Sequence, residues 1–365
     1  MPEPQETERA TDKILALFFV SCYKKDFYAE LEGRRHFLII MKKLFLWVLV
    51  TMFCCVYATA QTVGVAVLTH GDSNTMFYGN TALQEAVKAA TDGDVISLSP
   101  GTFIGLKDFS KSGLTIIGSG MEGTSQTILT GGALRASYSS KKFVKLTLKN
   151  VYIDGSFFAG DGNYELSLEK CRVNGVYNCD IADNQTSTIK MVNCVTGGDS
   201  KKVDRFTNTI LSAYNCVLRP SNLGGDVSRS RVLANCILLC SPANGTTGTL
   251  NNCIIISEDS NILPLSIRAT NCRAISNRTA YFQTQVLNNE VYKENPFIEG
   301  SFYELKPELA STWVDENGEQ IGIYGGPEPF SALPDAPRFT KFNVPSRTDA
   351  DSKLSVEIEV ALPEK

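Results

Sequence analysis

Short runs of this chain place apolar residues on every second position. Leu146 and Leu148, Leu166 and Leu168, and Leu211 and Ala213 alternate with polar neighbours. A second pair follows each: Val151 and Ile153, Cys171 and Val173, Cys216 and Leu218. Alternation of period two marks strands with one face buried. The two pairs are out of step, because three residues separate the last inward position of the first from the first inward position of the second. A continuous strand would turn the second pair outward, so the chain must bend between them. The bend falls on Asn150, Asn193, Asn215, Asn235, Asn252 and Asn271, with Lys170 in that place once. Asn tolerates the left-handed backbone conformation that such a corner needs.

The residue after each corner recurs as Val151, Cys171, Cys194, Cys216, Cys236, Cys253 and Cys272, at separations of 20, 23, 22, 20, 17 and 19. A wandering period near twenty residues is the signature of a solenoid whose coils differ in loop length. Coils in register place equivalent residues ~4.8 Å apart. The Asn residues are then expected to stack as a side-chain ladder, and the Cys residues as an inward file of compact hydrophobes. In the strand after the corner, Val195, Val217, Ile237 and Ile254 occupy outward positions, bracketed by Arg172 and Arg273. Four apolar outward residues in a row imply a face covered by the tail of the chain or by a partner.

The stretch NTALQEAVKAATDGDVISLSPGTF from Asn80, LTIIGSG at Leu114, LTLKNVYIDG at Leu146 and the closing NPFIEGSFYELKPELAS with IGIYGG resemble the right-handed parallel β-helix proteins of the pectate-lyase-like superfamily. The resemblance covers roughly residues 64–330. It implies an all-β fold, a right-handed parallel β-helix with an N-terminal capping helix at 81–90. Expected boundaries are an upstream extension at 1–40, a signal peptide at 41–60, the β-helix at 64–326, and a Pro-rich linker with a strand-like tail at 327–365.

Composition narrows the function. The 365 residues carry a formal net charge of −4 and two histidines, His36 and His70. A nucleic-acid binder would show a basic stripe, and His-based metal or triad chemistry has too few residues to work with. Residues 41–60 read as an export signal: a basic MKK, a 14-residue apolar run and Ala58-x-Ala60 before Gln61. The run is shorter than the ~20 residues that span a bilayer. The expected product is therefore periplasmic, cell-surface or extracellular, without an integral membrane segment after cleavage.

Eight cysteines follow the signal, six of them at the repeated position and none in a CxxC spacing. Core packing accounts for the file, and disulfides are conceivable where a second Cys is near, Cys171 with Cys179 or Cys236 with Cys240. For site chemistry, the resemblance implies Ca²⁺ held by carboxylates and a Lys or Arg base in the lyase members. Here that assigns Asp180, Asp183 and Asp199 as Ca²⁺ ligands and Lys202 or Arg205 as the base, with Asp154, Lys201 and Asp204 close in sequence. Solvated solenoid turns explain the same residues without catalysis. No Gly-His-Gly of the hydrolase kind follows His70. Phe157, Phe158, Tyr164 and Tyr177 are candidates for a sugar-stacking platform, against a core-packing alternative. The leading expectation is a polysaccharide-binding or scaffolding protein, set against a Ca²⁺-dependent polyuronate lyase and an adhesive solenoid with a protein partner. Intact-mass measurement of the exported protein is expected to give a chain beginning at Gln61, translated from Met41; a mass retaining the first forty residues contradicts the upstream assignment.

Overall fold

The computed structural model describes residues 64–334 except 107, 110, 124–125, 132–133, 137–143, 156, 160–163, 179–186, 198–203, 207–208, 223–229, 240–246, 258–262, 264–265, 278–280 and 283–287, together with the strands Arg338–Asn343 and Glu357–Ala361. All belong to one compact unit, Thr62–Lys365. The chain winds as a parallel β-solenoid with sheets of eleven, ten and six strands, each strand pairing with its equivalent one coil away. The first two strands are the exception: β1 (Val65–His70) and β2 (Ser73–Tyr78) form an antiparallel hairpin, and β1 also pairs antiparallel with Val95–Leu98. Helix α1 (Ala82–Ala89) packs on this end of the coil, burying Ala82, Leu83, Ala86 and Val87 as one stripe.

Register converts the sequence alternation into continuous core rows. In the eleven-stranded sheet Leu114, Leu146, Leu166, Ile189 and Leu211 stack in register and are buried. In the ten-stranded sheet Phe103, Leu129, Ile153 and Val173 do the same. Between these sheets lies the corner. Asn150, Lys170, Asn193, Asn215, Asn235, Asn252, Asn271 and Asn288 all have φ between 50° and 57°. A left-handed residue costs an ordinary L-amino acid about 1–2 kcal/mol, which explains the run of Asn.

The cysteine after the corner has a chemical reason as well as a steric one. The backbone N–H of each corner residue donates to a carbonyl in the next coil: Asn150 to Glu169, Lys170 to Val192, Asn193 to Tyr214, Asn215 to Ala234, Asn235 to Asn251 and Asn252 to Thr270. Each of those carbonyls also accepts the Sγ–H of the Cys two residues on, at 3.1–3.3 Å: Cys171, Cys194, Cys216, Cys236, Cys253 and Cys272 respectively. A carbonyl has two lone pairs, and the thiol fills the second one from inside the core. Serine would donate more strongly but at a larger burial cost. All six thiols are free and fully buried, so Cys171 and Cys236 are not in disulfides. Burial raises the Cys171, Cys216, Cys253 and Cys272 thiols well above their ordinary pKa.

The Asn side chains only partly form the expected ladder. Asn271 Nδ2 donates to Asn252 Oδ1 and Asn288 Nδ2 to Asn271 Oδ1, both at 2.9 Å. Nearer the middle the amides turn instead to a strap, residues 297–333, that runs back along the corner row. Asn271 Nδ2 also donates to Val314 O, Gly322 N–H to Asn252 O, Asn215 Nδ2 to Ile323 O and Gly325 O at 2.9 and 2.6 Å, and Lys170 Nζ to Leu333 O at 2.9 Å. Backbone carbonyls of the strap lie within bonding distance of these amides and take the donors that a neighbouring Asn would otherwise receive. Gly326, at φ 72°, lies so close that a Cβ would run into the Asn235 amide.

The strap covers the outward apolar row. Tyr152, Arg172, Val195, Val217, Ile237, Ile254, Arg273 and Glu290 stand in one register line. Its four central residues pack with Phe297, Leu305, Trp313, Ile321, Ile323 and Phe330 in a second core. The bracketing arginines sit over rings, Arg172 over Tyr152 at 5.3 Å and Arg273 over Trp313 at 5.9 Å. Most of this cover lies before Pro327, upstream of the tail. Beyond it, Arg338–Asn343 and Glu357–Ala361 pair as an antiparallel hairpin.

Two outcomes test this account. Asn215→Ala is expected to cost about 3–4 kcal/mol in urea unfolding, from backbone strain plus about 1 kcal/mol for each of the two lost strap bonds. Asn215→Gly should lose only the strap bonds, so equal stability of the two variants would remove the corner argument. Alkylation at pH 8 with peptide mapping should leave the six file cysteines unmodified in the native protein and modify them after denaturation; labelling of native Cys216 would contradict its placement.

Candidate functional site

The six-stranded sheet gathers the sequence candidates. Its strands are short, Asp108–Phe109, Leu134–Ala136, Phe157–Ala159, Val176–Asn178, Asp204–Arg205 and Pro220–Asn222. Parallel pairing aligns Asp108 with Arg135, Arg135 with Phe158, Phe158 with Tyr177, Tyr177 with Arg205, and Arg205 with Asn222. Three residues chosen from sequence, Phe158, Tyr177 and Arg205, thus share one register line. Arg135 adds a second cation to it. At a strand spacing of ~4.8 Å, the span from Arg135 to Arg205 is roughly 14 Å.

Phe157 belongs to the adjacent line, paired with Leu134 and Val176, and Val176 is fully buried. Neighbouring residues on a strand lie on opposite faces, so Phe157 and Phe158 do not share a line. Tyr164 follows the core-packing alternative. It opens the strand Tyr164–Glu169 in the eleven-stranded sheet, pairs with Val144 and Ser187, and is buried in the main core. It is a core residue and no part of an exposed aromatic platform.

The proposed Ca²⁺ ligands Asp180, Asp183 and Asp199 and the proposed base Lys202 lie outside the described residues, as do Lys201, Cys179 and Cys240. By chain position, Asp180 and Asp183 follow the strand carrying Tyr177, while Asp199 and Lys202 precede the strand carrying Arg205. These two strands are neighbours in the sheet. Asp154 is at the surface in another setting, accepting from Asn174 Nδ2 at 3.1 Å and from Tyr152 Oη at 3.5 Å beside Arg172. Among the described residues no group of three His, Cys, Asp or Glu is placed to hold a metal. Nor is any helix among them long and apolar enough to cross a membrane.

Two features escaped the sequence reading. Arg231 continues the inward line of Leu211, is 1% exposed, and donates from Nη1 to Thr247 Oγ1 at 2.7 Å. The signal was present: the residue five before each file Cys is apolar in the preceding coils, and Arg231 and then Gly248 break that rule in succession. A Cβ at Gly248 would press on the Arg231 backbone and Cβ. The second feature is the last coil, where Asn288 takes the corner and Asn289 takes the cysteine place. Asn289 accepts from Cys272 N–H at 2.7 Å and donates to Ala269 O at 2.9 Å, the contacts that file thiols make in earlier coils at 3.4–3.5 Å. Compared with known family models, characterised proteins and solved structures, the chain matches none.

Proposed function

We infer that this is an exported member of the pectate-lyase-like β-helix superfamily that binds acidic polysaccharide along its six-stranded sheet. The observation that carries this reading is the register line Arg135–Phe158–Tyr177–Arg205. A linear glycan meets a solenoid as one repeating chain meets another, and a line of equivalent positions is the geometry such a ligand requires. Arginine matches carboxylates bidentately, and aromatic rings add apolar contact with a polar edge. Cations at both ends of an aromatic pair favour an acidic glycan over a neutral one.

Binding and scaffolding fit this line without further parts. A lyase reading draws on the same strands, since Arg205 is one of its base candidates and Asp180, Asp183, Asp199 and Lys202 lie between Tyr177 and Arg205 in the sequence. Both readings rest on export through residues 41–60, which puts the chain where such glycans are found.

Calorimetric titration with polygalacturonate, alginate and glycosaminoglycan fragments is expected to show salt-sensitive binding to at least one. Arg205→Ala should weaken it about tenfold to a hundredfold, the value of one or two charge-assisted hydrogen bonds, and Tyr177→Ala should also weaken it. Absence of binding across the panel, or an unchanged affinity in both variants, overturns the reading. Following ultraviolet absorbance of unsaturated products with Ca²⁺ and with chelator separates the lyase: calcium-dependent signal lost in Arg205→Ala makes it an enzyme, and silence leaves a binding protein.

A further inference from the structure

The two ends of the eleven-stranded sheet are treated differently. At one end, the strand Ile267–Thr270 carries exposed Arg268, and the carbonyl of Ala269 is taken by the Asn289 amide. At the other end stands β2, the terminal strand of the sheet order, with nothing beyond it among the described residues. Its sequence SNTMFY contains no charge and no proline. Exposed sheet edges are usually blunted by just those residues, because an open row of N–H and C=O groups pairs with any extended chain. Met76 and Tyr78 on this strand are 57% and 62% exposed, the highest values among the large hydrophobic residues whose side chains are described.

The hairpin fixes which groups are open. Gly71, at φ 55°, and Asp72 form a two-residue turn between His70 and Ser73, and such a turn closes on a hydrogen-bonded pair. Pairs then alternate, so Ser73, Thr75 and Phe77 bond to β1, as Gly79 bonds Gly64 at the far end. Asn74, Met76 and Tyr78 direct their N–H and C=O groups to the open edge. Their side chains share one face of the strand, and Phe77 on the other face packs against the core.

We propose that β2 is a self-association edge, through which two copies of this chain pair antiparallel about a two-fold axis at Met76. That register sets Met76 against Met76 and Asn74 against Tyr78 of the second copy, and it uses every open backbone group of the strand. A second copy is the favoured occupant on charge grounds, since an uncharged strand opposes no like charges when it meets itself. A strand that pairs with its own copy about a two-fold axis makes an isologous contact, which closes at two. A single strand pair with two apolar side chains covers less than the ~800 Å² per partner of a standard interface, so the dimer dissociates on dilution.

The test is sedimentation of the full chain over a wide concentration range. Mass should rise from one copy towards two, and Met76→Lys and Met76→Pro should hold it at one with unchanged circular dichroism, since Met76 N–H takes no part in the β1 ladder. Cα atoms of a hydrogen-bonded antiparallel pair lie ~5.5 Å apart, within disulfide reach. Mild oxidation of Met76→Cys is therefore expected to give a covalent dimer that the wild-type chain does not form. A monomer at all concentrations, open-ended polymers, a dimer indifferent to Met76→Lys, or failure of Met76→Cys to cross-link each overturns the proposal.

Discussion

The structure depends on one backbone event, repeated coil after coil: a single residue in the left-handed conformation between two strands. It lets a strand with its apolar face inward be followed, after one residue, by another whose apolar face is also inward. Everything else at the corner adjusts to that event. Asparagine lowers its conformational cost, the N–H of the corner residue reaches the carbonyl of the next coil, and the cysteine thiol completes that carbonyl from within. Lys170 shows that the conformation matters more than the side chain. It holds φ 50° like its neighbours and still finds a use for its ammonium group on the carbonyl of Leu333.

The strap is the corner's second beneficiary. Corner amides point away from the core, in a line, at regular spacing, and a polypeptide laid along them finds donors for its carbonyls. The apolar outward line beside the corner supplies the burial, with Trp313 and Ile323 almost wholly enclosed. Each fully buried Val or Ile contributes about 1.5–3 kcal/mol, so the four covered residues give the strap a strong hold before any hydrogen bond is counted. Glycines at 322 and 326 allow the close approach, both at positive φ and both against side chains of the corner region.

The repetition made the fold legible in the sequence. Strand alternation, the out-of-step pairs and the Asn corners depend only on local periodicity, which a single chain displays in full. The covered face was legible as a need, four outward apolar residues, but not as a solution, since which distant segment meets them is a matter of tertiary pairing. For Tyr164 the sequence left a platform and a core place open, and the core place holds because it extends the inward alternation of Leu166 and Leu168. Arg231 and Asn289 were overlooked because each breaks the repeat: a charged residue and an amide stand where the pattern had apolar residue and thiol. The candidate site was legible in part. Residue type suggested Phe158, Tyr177 and Arg205, but their common line, and the inclusion of Arg135 and exclusion of Phe157, follow from strand register that loop length hides.

A solenoid in which each coil touches only its neighbours behaves as a one-dimensional array, and such arrays can open from their ends. The strap changes that statistical mechanics. By bonding to the corners at Lys170, Asn215, Asn252 and Asn271, it ties together coils that otherwise share no contact. A terminal coil cannot then fray without disturbing a segment held several coils away. The central coils should unfold as one cooperative block, with a sharp transition where an untied array of the same coils would melt gradually.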